Sequence, residues 1–239
     1  MNAILLAGGC GTRLKPITNT IPKCMVSING KPLIDYWLET LLENPKPLIH
    51  KVLINTHHLP EIVREHIHKS KWKRFISLVH EEVLLGTGGT ILKNRDFFLN
   101  QAFFVAHADN LTKFSLEDFI KAHKNRASKV EITAMTFNTD SPKSCGIIVI
   151  NKNNLVTSFI EKPNNPKSNL ANGAVYIFEP SVITFIASLK KDEIDISRDI
   201  LPNYVGKMDT FHNETYHRDI GTLESLLLAE QDCRNKVFY

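Results

Sequence analysis

The chain of 239 residues is short of several things, and each shortage removes a class of protein. Its four cysteines, Cys10, Cys24, Cys145 and Cys233, show no C-x-x-C spacing and no pairing pattern, so neither a zinc site nor a disulfide framework is expected. No apolar run approaches the ~20 residues of a membrane span. The N-terminus lacks a charged-then-apolar signal segment, which predicts a reduced, cytoplasmic chain with no membrane partner. Charge of one sign is not concentrated either. The formal net charge is +4, and the one dense basic run, His66-Ile67-His68-Lys69-Ser70-Lys71-Trp72-Lys73-Arg74, reads as a solvated helix end, so nucleic acid is not an expected partner. There is no linker, low-complexity segment or internal repeat.

What is present begins at once. Leu5-Leu6-Ala7-Gly8-Gly9-Cys10-Gly11-Thr12-Arg13-Leu14 is a short apolar run that empties into three glycines and then a cation. Ala3 to Ala7 reads as a buried first strand. The glycines then read as a turn whose backbone N–H groups can approach a phosphate with no side chain in the way. Arg13 supplies an always-charged fork for phosphate oxygens, and Pro22-Lys23 adds a second cation after a segment too rich in Thr and Pro for regular helix. The P-loop requires Gly-Lys-Ser/Thr at its end, where this chain has Gly11-Thr12-Arg13. The dinucleotide fingerprint requires G-x-G-x-x-G with an acidic residue about twenty positions on, and that spacing is missing too. Strand, glycine loop and two cations therefore point to a triphosphate held in another way.

Further along, apolar strands alternate with helical patterns: Lys51 to Asn55 then Leu59 to His68, Phe75 to Val79 then Gly88 to Leu92, Ala102 to Ala106 then Leu116 to Lys124. Alternation of this kind predicts crossover units and a mainly parallel sheet with helices on both faces, ligands lying at the carboxyl ends of the strands. Beyond Val130 strands crowd together, at Glu131 to Phe137, Gly146 to Ile150, Val156 to Ile160 and Ala174 to Phe178, with Asn151 to Asn154 as a hairpin turn. A single α/β domain over 1–239 is expected, with an alternating core over about 1–130 and a mixed-sheet extension over about 131–239. The stretch Leu223 to Lys236 reads as a charged helix.

The pattern G-G-x-G-T-R-L followed by Pro-Lys resembles the signature of the sugar-1-phosphate nucleotidyltransferases, or nucleotide-sugar pyrophosphorylases. The resemblance runs along the whole chain through Leu85-Gly86-Thr87-Gly88-Gly89, Ala108-Asp109-Asn110, Ile160-Glu161-Lys162-Pro163, Ala171-Asn172-Gly173 with Tyr176, and Arg218-Asp219-Ile220-Gly221-Thr222. It implies a Rossmann-like core akin to the GT-A fold. By resemblance, Leu6, Ala7, Gly8, Gly9, Gly11, Thr12, Arg13, Glu81, Gly86 and Thr87 would bind the nucleotide. Asp109 and Asp219 would hold Mg²⁺, whose preference is for hard oxygen ligands. Lys162 would take the sugar phosphate and Glu161 the sugar hydroxyls, with Gly146, Asn172 and Gly173 completing that pocket. Many relatives carry a C-terminal left-handed β-helix or regulatory modules, and no such repeat is read here, so assembly through such an appendage is not expected.

Two departures bear on the site. Relatives often read Gly-Asp or Asp-x-Asp where this chain has His107-Ala108-Asp109-Asn110; Asn110 brings no charge, and His107 is expected to be a hydrogen-bonded structural residue. Cys145 stands where an aromatic residue often precedes the pocket glycine. The expected reaction makes a nucleotide sugar and pyrophosphate from an NTP and a sugar-1-phosphate, with Arg13, Lys23, Asp109 and Lys162 as the catalytic set. Glu81 favours GTP, because an acceptor-only carboxylate takes two parallel donors from guanine, whereas uracil and thymine offer one N–H between carbonyls. Among family members the chain is most similar to short mannose-1-phosphate and heptose-1-phosphate guanylyltransferases; uridylyl or thymidylyl transfer is the alternative. A non-catalytic nucleotide-sugar sensor or a glycosyltransferase is the alternative of another class. A homodimer is compatible with such a domain, although no surface stripe marks an interface.

Overall fold

The computed structural model describes residues 1–238. In chain order its elements are β1 (Ala3–Leu6), β2 (Ser27–Ile28), β3 (Lys31–Pro32), α1 (Leu33–Leu42), β4 (Val52–Thr56), α2 (Pro60–Lys69), β5 (Ile76–His80), α3 (Gly86–Lys93), β6 (Phe103–His107), β7 (Asn110–Lys113), α4 (Leu116–Lys124), β8 (Ile132–Asn138), β9 (Gly146–Ile150), β10 (Val156–Glu161), β11 (Leu170–Phe178), α5 (Pro180–Ser188), β12 (Met208–His212), β13 (Tyr216–Asp219) and α6 (Leu223–Arg234). The chain forms two compact units that interleave in sequence. The first comprises Met1–Leu84, His107–Phe114 and the chain from Thr215; the second comprises Leu85–Ala106 and Ser115–Glu214. The sequence pattern suggested a contiguous division near residue 130 instead.

In the first unit, β4 lies between β1 and β5, all parallel, with Ala3 opposite Val52 and Val52 opposite Ile76. β1 and β4 are buried along their whole length, as strands covered on both faces must be. This is the expected crossover arrangement, and α2 opens with Pro60, whose missing N–H costs nothing in a first helical turn. The basic run around His66 lies at the end of α2. The sequence reading passed over α1, although Leu33, Ile34, Trp37, Leu38 and Leu41 form its buried stripe. It also missed the antiparallel pair β7–β13, in which Asn110 faces Asp219. Leu14, Ile28, Leu33, Tyr36, Leu111, Ile220 and Leu226 pack into one core beneath these elements.

The second unit carries the strand-rich extension. β8 pairs antiparallel with β11 and parallel with β12; β11 also pairs with β6, and through Ala171–Ile147 with β9. β9 and β10 form the expected hairpin, its turn closed by Asn154 N–H donating to the Asn151 carbonyl over 3.0 Å. That hairpin then returns to β12: Thr210 N–H donates to the Asn154 carbonyl (3.1 Å), Gly206 N–H to that of Val156 (2.9 Å), and Leu155 bridges Asp209. Strands β12, β8, β11, β9 and β10 thus close on themselves. Below them Phe98 stacks on Phe103, ring centroids 4.0 Å apart. Among the described residues, no helix is long and apolar enough to cross a membrane.

Candidate active site

The first unit gathers four of the expected groups by backbone pairing. Ala108 N–H donates to the Leu6 carbonyl at the end of β1 (3.0 Å), so Asp109 sits beside the start of the glycine loop. Ile220 N–H donates to the Asp109 carbonyl (3.1 Å), which brings β13 and Asp219 to the same place. Lys23, 7% exposed, lies between the two carboxylates, with Nζ 2.6 Å from Asp109 Oδ2 and 3.5 Å from Asp219 Oδ1. Arg13 Nη2 is 3.8 Å from Asp219 Oδ2, and its side chain is mostly exposed. Burial raises the Asp109 pKa, but the charges of Lys23 and His107 and the Lys23 hydrogen bond outweigh it and hold the carboxyl below the ordinary carboxylate range.

The glycine loop is held by side chains the sequence reading did not single out. Ala7 N–H donates to Asn55 Oδ1 (2.8 Å), and the buried Thr18 hydroxyl donates to the Gly11 carbonyl (2.8 Å). Gly11 has φ +62°, and a Cβ there would stand 2.8 Å from Thr18 Cγ2, so no other residue suits the position. Thr12, Arg13 and Leu14 follow as a single 3-10 turn.

Whether Mg²⁺ suits this place can be judged from the donors. Two carboxylates converge on one positive group, the Lys23 ammonium, and carboxylate oxygens are the ligands that hard divalent cations take. The residues fit, with two protein ligands that would leave further positions for phosphate and water. Asn110 is buried beside them and opposite Asp219. His107 differs from expectation: its Nε2 is buried and has no hydrogen-bond partner among the described residues.

Glu81 follows β5 and is 1% exposed. Its N–H donates to the Thr56 carbonyl (2.9 Å), and its carbonyl lies 2.7 Å from His57 Nδ1. Glu82, Val83 and Leu84 beyond it are exposed.

The second unit brings together the residues expected to take the sugar phosphate. Gly146 and Glu161 face each other across β9–β10, and a Cβ on Gly146 would lie 2.7 Å from Glu161 Oε2, so the glycine makes room for that carboxylate. Lys162 N–H donates to the Cys145 carbonyl (3.0 Å). Lys162 itself has φ +49°, a left-handed conformation, where the following Pro163 favours an extended one. Its exposed ammonium lies 3.9 Å from Glu161 Oε1. Backbone strain at a lysine of this kind is characteristic of functional positions.

Asn172 and Gly173 lie where β11 shifts register against β8. The bulge turns the Asn172 amide inward: Nδ2 donates to Tyr176 Oη (2.7 Å), and Oδ1 accepts from Ala174 N–H (3.2 Å). Burial pushes the Tyr176 phenol far up, keeping it protonated. Burial also raises Glu161, which Lys162 offsets and Asp195 reinforces. Gly86 and Thr87 open α3, where the Thr87 hydroxyl accepts from Ile196 N–H (2.8 Å) and donates to Asp195 Oδ2 (3.3 Å). Asp195 was missed in the sequence. Its clue was its place before Ile196-Ser197-Arg198, a turn that it caps through Arg198 N–H.

Comparison with known proteins identifies relatives of the chain. The nucleotidyl transferase family model matches residues 2–236. A mannose-1-phosphate guanyltransferase of Schizosaccharomyces pombe is 30% identical over 92% of this chain and 61% of its own length. A UTP–glucose-1-phosphate uridylyltransferase of Synechocystis is 31% identical over 86% of this chain and 55% of its own. The chain thus spans little more than half the length of these curated relatives. A solved Bacillus anthracis structure, provisionally assigned as a glucose-1-phosphate thymidylyltransferase, superposes with TM-score 0.86 at 23% identity, covering 98% of this chain and 96% of that one. The match over nearly all of the sequence shows that the chain belongs to the nucleotidyl transferase family.

Proposed function

We propose that the chain transfers a nucleotidyl group from an NTP to a sugar-1-phosphate, most favourably GTP to mannose-1-phosphate or heptose-1-phosphate, releasing pyrophosphate. The observation that carries the reading is the convergence of Lys23, Asp109, Asp219 and Arg13 beside a glycine loop at the end of β1. Two cations and two carboxylates at such a loop suit a triphosphate far better than an uncharged ligand.

In this reaction an oxygen of the sugar phosphate forms a bond to the α-phosphorus while the bond from that phosphorus to the α–β bridging oxygen breaks, and pyrophosphate carries the electron pair away. No enzyme-bound intermediate is required, so the residues act by positioning and by charge. Arg13, exposed and weakly held, reaches the departing phosphates. Lys23 lies at the carboxylates and neutralises charge developing there. Lys162 takes the phosphate of the nucleophile, and Glu161, with the Asn172 amide locked by Tyr176, accepts and donates to sugar hydroxyls. Asp109 and Asp219 would hold Mg²⁺, which supplies further neutralisation of the triphosphate. Loss of one such charged group would be expected to slow turnover ~10²-fold to 10³-fold.

Base choice rests on Glu81, an acceptor-only carboxylate of the kind that takes the two parallel hydrogen bonds guanine donates. The Schizosaccharomyces pombe relative is named for guanylyl transfer and the Synechocystis one for uridylyl transfer, so together they support the broader reaction. The test is pyrophosphate release with Mg²⁺, crossing GTP, UTP, dTTP, CTP and ATP against mannose-, heptose-, glucose- and N-acetylglucosamine-1-phosphates, with Asp109→Ala as the control. Turnover with GTP that the control lacks is expected. Turnover with UTP or dTTP alone would overturn the assignment to Glu81 and keep the reaction, whereas no turnover in any pair would overturn the proposal.

A further inference from the structure

The strands of the second unit leave a cavity of about 240 Å³ lined by none of the residues assigned above to the nucleotide or the sugar phosphate. Its polar wall is Thr136 and Asn138 of β8, Thr210 and His212 of β12, and Asn154 of the hairpin; Ile150 and Leu170 supply the apolar part. It exists because the hairpin returns to β12, through Thr210 N–H and the Asn154 carbonyl (3.1 Å). The mouth of a small ring of strands is a common place for a ligand.

The chemistry of the wall is selective. No Asp, Glu, Lys or Arg lines it, so a phosphate or carboxylate would find no counter-charge. His212 lies between two neighbours, with Nδ1 3.2 Å from Thr136 Oγ1 and Nε2 3.5 Å from Asn138 Nδ2. An amide nitrogen only donates, which assigns Nε2 as the acceptor and leaves the ring proton on Nδ1, donated to Thr136 Oγ1. Thr136 is fully buried and serves only to hold the imidazole, whereas the exposed Asn138 has its amide oxygen to accept and its second N–H to donate. Donors and acceptors alternating beside a small apolar wall match the vicinal hydroxyls and C–H face of a pyranose. The volume, equal to about eight waters at ~30 Å³ each, admits one ring and is below the ~300 Å³ at which drug-sized pockets begin.

We propose that this cavity binds one unphosphorylated sugar ring, at a place distinct from the residues assigned to the sugar-1-phosphate. Thr136 is the register partner of Asn172, so the two places are neighbours along the sheet but use different side chains. The proposal does not depend on the transferase reaction.

The test is titration of the full chain with mannose, glucose, N-acetylglucosamine and methyl α-mannoside, read by calorimetry and by the His212 ring resonances. Saturable binding that shifts His212 is expected, weakened at least tenfold by Asn138→Ala and by His212→Phe and unchanged by Lys162→Met or by saturating mannose-1-phosphate. Asn138 is exposed, so its alanine variant keeps the fold and separates loss of binding from loss of structure. Methyl α-mannoside binding as tightly as mannose supports the site with a glycan end as its source, and mannose binding alone supports it with the free sugar. The assignment is overturned if none of the four sugars shifts His212, if both pocket variants bind normally, or if Lys162→Met or mannose-1-phosphate abolishes the binding.

Discussion

Replacing Asp109 by Asn keeps the shape of the side chain and removes its charge, and the consequence follows from its neighbour. Lys23 has a side chain only 9% exposed, and its ammonium is 2.6 Å from Asp109. Breaking a fully buried pair costs about 3–5 kcal/mol, because one charge is left without a partner. Here the cost is smaller. The Asp109 side chain is 32% exposed, and Asp219 remains 3.5 Å from Lys23, which together reduce the expectation to about 1–3 kcal/mol. For a domain of this size that lowers the melting temperature by roughly 2–12 °C. The decisive measurement is a double-mutant cycle by denaturant unfolding with Asp109→Asn, Lys23→Met and both together. Once Lys23 is neutral the carboxylate loses its partner, so the double variant should be more stable than the sum of the single effects predicts, by at least about 1 kcal/mol. The acid limb gives a second readout. Because the folded Asp109 carboxyl is held below its ordinary range, its contribution persists through neutral and mildly acid pH and is lost as pH falls through the folded value. That limb should flatten in Asp109→Asn. Additive single effects, within about 0.5 kcal/mol, would refute the pairing, and unaltered nucleotidyl transfer in Asp109→Asn would refute its place in catalysis.

Other consequences are as direct. His123 is 2% exposed, within hydrogen-bond distance of Thr133 and Glu179; burial and the Arg126 charge lower its pKa more than Glu179 restores it. An unfolded His takes up its proton near pH 6.5 and the folded one resists it, so stability is full above that pH and declines as pH falls below it, by at least about 1 kcal/mol by pH 5. Urea titrations across that range should show the decline and its flattening in His123→Gln. Tyr176→Phe removes the acceptor of the Asn172 amide, so the KM for sugar-1-phosphate should rise about 5-fold to 100-fold, equivalent to about 1–3 kcal/mol, with the KM for NTP little changed. Equal changes in both constants would show that the pair does not act on the sugar. Gly11→Ala forces a left-handed backbone and pushes its methyl against Thr18, so it should cost about 1 kcal/mol or more in stability and raise the KM for NTP; unfolding and initial-rate measurements check both.

The elements that were legible before any coordinates are those whose evidence is local. β1, β4, β5 and α2 showed themselves by apolar runs and by alternation, and the β9–β10 hairpin by its Asn-rich turn. α1 had its apolar stripe and was nonetheless passed over. The β7–β13 pair could not be read at all: each strand has four residues, and nothing in Asn110–Lys113 says that Tyr216–Asp219 will lie against it. The same holds for Asn55, an ordinary residue near the end of a strand until its amide is seen holding Ala7. Resemblance to a family brought Asp109 and Asp219 together on paper before pairing explained why they meet.

By itself the sequence determined the glycine loop, the identity of its cations and the kind of sheet that carries them, since backbone freedom, charge and hydrophobic period are properties of residues and their near neighbours. Tertiary structure alone decided that Lys23 stands between two carboxylates, that Glu81 is buried, that Tyr176 locks Asn172, and that β8, β9, β11, β12 and the hairpin turn line a small cavity without Asp, Glu, Lys or Arg. Each of these depends on segments distant in sequence being paired in one register, and the free energy that selects a register is summed over the whole core rather than written in any one segment.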